Sequence, residues 1–213
     1  MTQPDHLQRL ACPRCLRPQS ACICSWITPT EPAIDVLILQ HPLEVRQAKG
    51  SARLLQLSLA RSELIVGETF DEQGLKALLH TPARHAILLY PDSPADKSLE
   101  LAAAPPLDQA WLREPAQLRL VVLDGTWRKS RKMLYLNPLL QELPRLSLQN
   151  LLTSTPASRY LIRKAQRPGQ LSTLEATCHA LMQLEQDEEK YQSLLTAFDG
   201  FVAQQVACRI RAS

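Results

Sequence analysis

The sequence predicts an α/β fold, a mostly parallel sheet with flanking helices, preceded by a small cysteine-rich module and linker over residues 1–30. Three observations carry this expectation. Short apolar runs at 33–39, 63–66, 86–90 and 118–123 are separated by stretches with helical spacing, the rhythm of strand–helix–strand units. The runs show little polar alternation, as strands covered on both faces do. A chain of 213 residues, 45% hydrophobic and 21% charged, suits one domain with a full core, here 31–213, plus a small module.

Taken in order, the first six residues are polar and lack an apolar signal core. No stretch of membrane-spanning length is free of charge, so a cytoplasmic protein without a membrane segment is expected. Cys12-Pro13-Arg14-Cys15 and Cys22-Ile23-Cys24 form a C-x2-C-x6-C-x-C pattern. Four thiolates in two tight pairs can meet around one tetrahedral zinc with little loop-closure cost. Disulfides or redox thiols are the competing reading. The compartment argues against the first, and the absence of a surrounding βαβ unit argues against the second. Cys178 and Cys208 fall in helical patterns and read as core thiols.

Residues 25–31 hold Pro29, with Pro32 directly after, and read as a linker, and the strand at 33–39 ends at Gln40-His41-Pro42, where proline halts regular structure. His41 could serve as a base, although a lone histidine after a strand is more often a polar loop residue. Helical spacing follows at 51–59, a short strand at 63–66, an acidic helix start at Asp71, and a strand broken at Pro91. Residues 101–115 carry three prolines and support no assignment.

The run 118–123 then stops at Asp124-Gly125-Thr126-Trp127 and gives way to a short helix. Ligands of open α/β sheets bind beyond the carboxyl ends of strands, which makes Asp124, Thr126 and Trp127 candidates for chemistry. The alternative is that Asp124 caps the helix and Trp127 fills the core. At 100° per residue, Arg128, Arg131, Lys132 and Tyr135 share one helix face, with Ser130, Met133 and Leu134 opposite. Cations with an aromatic suit phosphate contact and base stacking, although a charge run is usually a solvated face. A second basic run contains Arg159, Arg163, Lys164 and Arg167. Ser172-Thr173-Leu174-Glu175 fits a capping box, whose exposed amides could also hold an anion. The last helix, about 188–209, buries Tyr191, Leu194, Leu195, Phe198 and Val202.

A net charge of +3 does not by itself announce a nucleic-acid binder. The six glycines are scattered, which excludes a Rossmann fingerprint and a P-loop.

Asp124-Gly125-Thr126-Trp127 resembles the signature of the DTW-domain family, the tRNA-uridine aminocarboxypropyltransferases. The likeness extends, in the family's order, through the cysteine cluster, His41-Pro42 with Glu44, and Ser51-Ala52-Arg53-Leu54, where serine replaces the usual threonine. It continues through Leu89-Tyr90-Pro91 and Leu171-Ser172-Thr173-Leu174-Glu175-Ala176. The resemblance implies a SPOUT-like knotted sheet that binds S-adenosylmethionine at the knot. It implies transfer of the 3-amino-3-carboxypropyl group to N3 of a tRNA uridine, with release of methylthioadenosine. On that basis Asp124 would accept or orient the N3 proton, and Ser51, Leu123, Thr126, Trp127, Leu171 and Thr173 would surround the donor. Arg128, Arg131, Lys132, Arg159 and Arg163 are the candidates for RNA phosphates, and Cys12, Cys15, Cys22 and Cys24 for a structural zinc. A monomer acting on tRNA is expected. Two alternatives stand beside this: a methyltransferase on the same scaffold, and a zinc-dependent RNA-binding module without catalysis.

Overall fold

The computed structural model describes residues 11–91, 104–148 and 171–210, with side chains to 207. Five strands form one sheet: β1 (Asp35–Gln40), β2 (Ser62–Val66), β3 (His85–Leu89), β4 (Leu118–Asp124) and β5 (Arg145–Leu146). Their order is β2-β1-β4-β3-β5, and every neighbouring pair is parallel. Among the described residues the α-helices are α1 (Ala52–Ser58), α2 (Glu72–His80), α3 (Trp127–Leu136), α4 (Pro138–Gln141), α5 (Thr173–Glu185) and α6 (Gln192–Ile210). The α/β class and the four longer strands agree with the sequence reading. The two-residue β5 and the single-turn α4 were not anticipated, being too short to show a period.

Side chains alternate across a strand, and here each face meets its own helix layer. Val36, Ile38, Ile87, Leu120 and Val122 pack against α1, α5 and α6. Leu37, Leu39, Ala86, Leu88, Val121 and Leu123 pack against α2, α3 and α4. All seven residues of β4 are buried, which explains its near-continuous apolar run. Its one cation, Arg119, lies 3.6 Å from Asp35 and also donates to the Leu78 carbonyl. Asp35 accepts from Arg61 at 2.8 Å and from Arg84 as well, so buried Arg119 sits in a partnered cluster of half-buried charges at the lower edge of the sheet.

The cysteine module is joined to this core. Cys12, Cys15 and Ile23 belong to the same apolar cluster as α1, α5 and α6. Trp26 donates its indole N–H to Gln204 on α6, and a Cβ at Gly200 would lie 2.2 Å from the indole ring, so only glycine lets the helix approach. The expected last helix begins at Gln192, four residues later than its acidic lead-in suggested, with Tyr191 fully buried just before it.

Asn137 pins the upper layer. Its side-chain amide donates to the Glu68 carbonyl at 2.9 Å and the Met133 carbonyl at 2.6 Å, and its oxygen accepts from the Phe70 amide at 2.9 Å. Asn137→Ala would leave these groups unpaired at a site only 2% exposed, and should cost about 2–4 kcal/mol. Denaturant unfolding measures this directly; a loss below about 0.5 kcal/mol would mean that water replaces the amide.

Candidate functional site

The helices that follow β1 and β4 leave the sheet on opposite faces, α1 into one core layer and α3 into the other. The crevice above β1 and β4 is therefore a topological switch point, where open parallel sheets place their ligands. Register sets its floor: Gln40, the last residue of β1, is paired with Asp124, the last of β4. The ladder continues one step further, with the His41 amide donating to the Asp124 carbonyl at 2.9 Å.

Asp124 is 6% exposed and held from two sides. Gln40 Nε2 donates to Oδ2 at 2.8 Å, and Thr173 Oγ1 donates to Oδ1 at 2.6 Å. Burial raises its pKa; the Thr173 and Gln40 hydrogen bonds pull the other way, the nearby Glu44 adds to the rise, and Lys129 opposes it. The residue at the N-cap position of α3 is Thr126, so Asp124 does not cap that helix. Nor does Trp127 fill the core: it is 54% exposed, with its ring edge-on to Tyr90 at 5.7 Å. The structural alternative for this motif fails on both counts. Gly125 acts through space, since a Cβ there would stand 3.1 Å from Lys129 Cβ and 3.4 Å from Ser130 Oγ.

Ser51 and Thr173 arrive at the same place from different elements. Ser51, buried ahead of α1, accepts from the Leu174 amide through its Oγ at 3.3 Å. Thr173 opens α5 and reaches Asp124. The capping box is present: Ser172 Oγ accepts from the Glu175 amide at 3.2 Å, and Glu175 Oε2 accepts from the Ser172 amide at 2.8 Å. The amides of Leu174, Glu175 and Ala176 are thus satisfied internally, by Ser51 and by the capping box itself. Leu123 is buried in the α3 layer, Leu171 is half-buried just before α5, and Thr126 is exposed and makes no side-chain cap bond.

The cations of α3 divide. Lys129 pairs with Glu44 at 2.7 Å, and Lys132 with Glu68 at 2.9 Å, while the Lys132 side chain remains 58% exposed. Glu68 also holds His41 Nε2 at 2.7 Å, and Lys132 followed by His41 keeps its carboxyl below the usual glutamate range. The Leu43 amide donates to His41 Nδ1 at 3.1 Å, which places the neutral ring's proton on Nε2, toward Glu68. Arg128 and Tyr135 are exposed and Arg131 is half-buried. Arg159 and Arg163, with the rest of the second basic run, lie outside the described residues. Sequence reasoning missed Gln40 and Glu68, quoted Glu44 only as part of a family pattern, and set His41 aside. The signal for Gln40 was its place at the end of a strand neighbouring β4.

In the N-terminal module, Cys12, Cys15, Cys22 and Cys24 bring their Sγ atoms within 4.8 Å of one another. The closest pairs stand 3.6 Å and 3.8 Å apart, far beyond a disulfide of about 2.05 Å. They match the edge of about 3.8 Å that a tetrahedron of thiolates at ~2.3 Å from zinc must have. Backbone N–H groups of Cys15 and Arg14 lower the Cys12 thiol to about 6, while burial and the neighbouring thiols push Cys24 up to about 12, so one thiolate forms readily and the others need a cation to join it. The cluster could hold a metal ion.

The fold and site together define a parallel α/β protein with a clamped, buried acid at a sheet switch point and a four-thiol cluster in its N-terminal module. The chain belongs to the DTW-domain family, whose profile, described as DTW domain, matches residues 9–206. Among curated proteins it is 30% identical over 198 residues to tRNA-uridine aminocarboxypropyltransferase 2 of Drosophila melanogaster, covering 88% of this chain and 72% of that one. It is 29% identical to the protein of that name from Mus musculus, over 90% of this chain and 62% of the mouse protein. With tRNA-uridine aminocarboxypropyltransferase A of Arabidopsis thaliana the figures are 28%, 91% and 79%. No solved structure matches significantly. Among the described residues no helix is long and apolar enough to cross a membrane.

Because burial raises the Asp124 pKa, the folded chain keeps a proton that the unfolded chain releases, between the ordinary aspartate range and the raised value. Stability therefore falls as pH climbs through that window and stays lower above it. Asp124→Asn has no charge to desolvate and should lose this slope, gaining on the parent as pH rises. Thermal melts across acid to neutral pH test it; a constant gap between the two proteins would show that the carboxylate pays no net desolvation.

Proposed function

We propose that this chain transfers the 3-amino-3-carboxypropyl group of S-adenosylmethionine to N3 of a tRNA uridine. Family membership supplies the reaction class, and the observation that carries it to this chain is the clamped Asp124 at the switch point. In the reaction N3 loses its proton and attacks the carbon of the aminocarboxypropyl arm next to sulfur. The N–C bond forms as the C–S bond breaks, and neutral methylthioadenosine leaves with the electron pair. All three carbons on the sulfonium are electrophilic, so the site must choose by orientation.

Asp124 accepts or orients the N3 proton. A carboxylate offers about four lone-pair sites, so the bonds from Gln40 and Thr173 fix its plane and leave capacity for the uracil. Burial makes it a stronger base than a solvated aspartate, which favours proton acceptance. Ser51, Leu123, Thr126, Trp127, Leu171 and Thr173 surround the donor in this reading. Thr173 has the added duty of holding Asp124. Arg128, Arg131 and Lys132 take RNA phosphates, joined on sequence grounds by Arg159 and Arg163. The exposed rings of Trp127 and Tyr135 suit unstacked bases, and a uridine whose N3 edge is accessible must lie in a loop or single strand. The SPOUT-like knot belongs to the same proposal. Its support is that β5 lies at the sheet edge, while α5, which comes after it in sequence, stands at the β1–β4 crevice. Zinc on the four cysteines would brace residues 1–30 against the catalytic part, 31–213, in a cytoplasmic, reducing setting that keeps the thiols available.

Incubating the pure protein with unmodified tRNA and S-adenosylmethionine, then weighing the digested nucleosides, tests the reading. A uridine heavier by the aminocarboxypropyl group is expected. A gain of one methylene would mean methyl transfer, and tRNA binding with no consumption of the donor would leave an RNA-binding module. Asp124→Asn should lower the rate by about 10²–10⁴-fold at unchanged tRNA affinity.

Metal analysis of the same protein should find about one zinc per chain. Cys15→Ser, at a position 2% exposed within the shared core, should lose the metal and the cooperative unfolding of the module; full zinc retention in that variant would overturn the four-thiolate site.

A further inference from the structure

One residue of the cysteine module reaches toward the crevice. Arg17 follows the first cysteine pair in a tight loop: Cys12 donates its amide to the Arg17 carbonyl at 2.7 Å, Leu16 donates to the Cys12 carbonyl at 2.8 Å, and Leu16 takes a left-handed φ of 62°. The Arg17 guanidinium crosses to a different part of the chain. It donates to the carbonyls of Ala48 at 2.6 Å, Gly50 at 2.8 Å and Gln47 at 3.4 Å, and it stands 5.2 Å from the centre of the Phe201 ring on α6. The segment it grips runs between two residues of the crevice. At one end Glu44 pairs with Lys129, and at the other Ser51 holds the Leu174 amide, next to the Thr173 that clamps Asp124. Gly50 packs so closely that a Cβ would lie 3.1 Å from the Gln47 carbonyl, so the segment is tightly wound where Arg17 holds it.

We infer that Arg17 is a positioning residue that ties the four-cysteine module to the donor side of the crevice, through the carbonyls of residues 47–50 and on to Ser51. A planar guanidinium can bond several carbonyls at once, whereas an ammonium is a point donor that cannot hold the same set. The module has a second anchor that avoids the crevice: Gln204 on α6 accepts from Trp26 and donates to the Cys22 carbonyl at 3.3 Å. Loss of either anchor should loosen the module, but only loss of Arg17 should disturb the crevice.

This inference rests on the donor assignment above, and the experiment separates the two. In the zinc-loaded full chain, Arg17→Met keeps the stem over Phe201 and removes the donors. It should raise both KM and the calorimetric Kd for S-adenosylmethionine roughly tenfold, the value of a charge-assisted bond to a carbonyl, while kcat changes by less than about twofold. Arg17→Lys should recover part of that loss. Gln204→Ala should lower Tm and leave the donor affinity unchanged. Amide exchange at Leu174 should accelerate in Arg17→Met and not in Gln204→Ala, a readout that needs no ligand. If both variants shift Tm, affinity and Leu174 exchange in step, Arg17 is merely structural and the inference fails. Should Arg17→Met not fold, Arg17→Lys against Gln204→Ala decides on the same readouts. If the parent protein binds no S-adenosylmethionine, the donor assignment falls and the exchange at Leu174 still decides whether Arg17 reaches the crevice.

Discussion

A carboxylate at the end of a fully buried strand is expensive to keep. Taking its charge out of water costs several kcal/mol unless hydrogen bonds replace the lost solvent. Asp124 meets that demand with a donor from β1 and a donor from α5, so the two bonds bind together three segments far apart in sequence. The rest of the site follows from this clamp. Gln40 can reach only because the parallel register sets the ends of β1 and β4 side by side. Thr173 can reach only because its helix begins at the crevice, where the Ser51 hydroxyl and the capping box fix the first turn.

Part of this was legible in the sequence and part was not, for physical reasons. Strands covered on both faces announce themselves as apolar runs, and β1, β3 and β4 do so; β5 has two residues and cannot show a pattern. The stop at Asp124 marked the crevice because strand ends are where such sheets open. Its partners were harder to find. Gln40 is an ordinary polar residue until register is known, and Glu68 joins His41 and Lys132 only once β2 is placed beside β1. The cysteine spacing named its own chemistry, since four thiols in thirteen residues need no tertiary information to meet. That the module would share the main core did not show, because its anchor on Gln204 is 178 residues distant from Trp26.

The basic helix illustrates how a charge run divides its labour. Lys129 and Lys132 both face acids that rise from the ends of neighbouring segments, so they hold α3 at a set height above the crevice. Such pairs near the surface contribute little to stability individually, roughly 0–1 kcal/mol, and their worth here is positional. Lys132 keeps much of its surface in water, and Arg128 is exposed. The helix thus presents a cationic rim while its inner charges are neutralised, which concentrates attraction for a polyanion at the mouth of the crevice and not over the whole chain, whose net charge is only +3.

The crevice itself is not built for phosphate. The chain lacks the clustered glycines that let backbone amides close on a pyrophosphate, and the first-turn amides of α5 are occupied by Ser51, Ser172 and the Ser172 carbonyl. What the interior offers is negative: Asp124, with Glu44 near enough to raise its pKa further. That combination repels an anionic cofactor and attracts a cation. A sulfonium donor carries a positive charge and no phosphate, so the features that rule out nucleotide-phosphate binding are the ones that suit the donor we propose. The same argument explains the division of charge between rim and floor. A polyanionic RNA must be held outside, and one base admitted, before the cationic donor beneath it can be attacked.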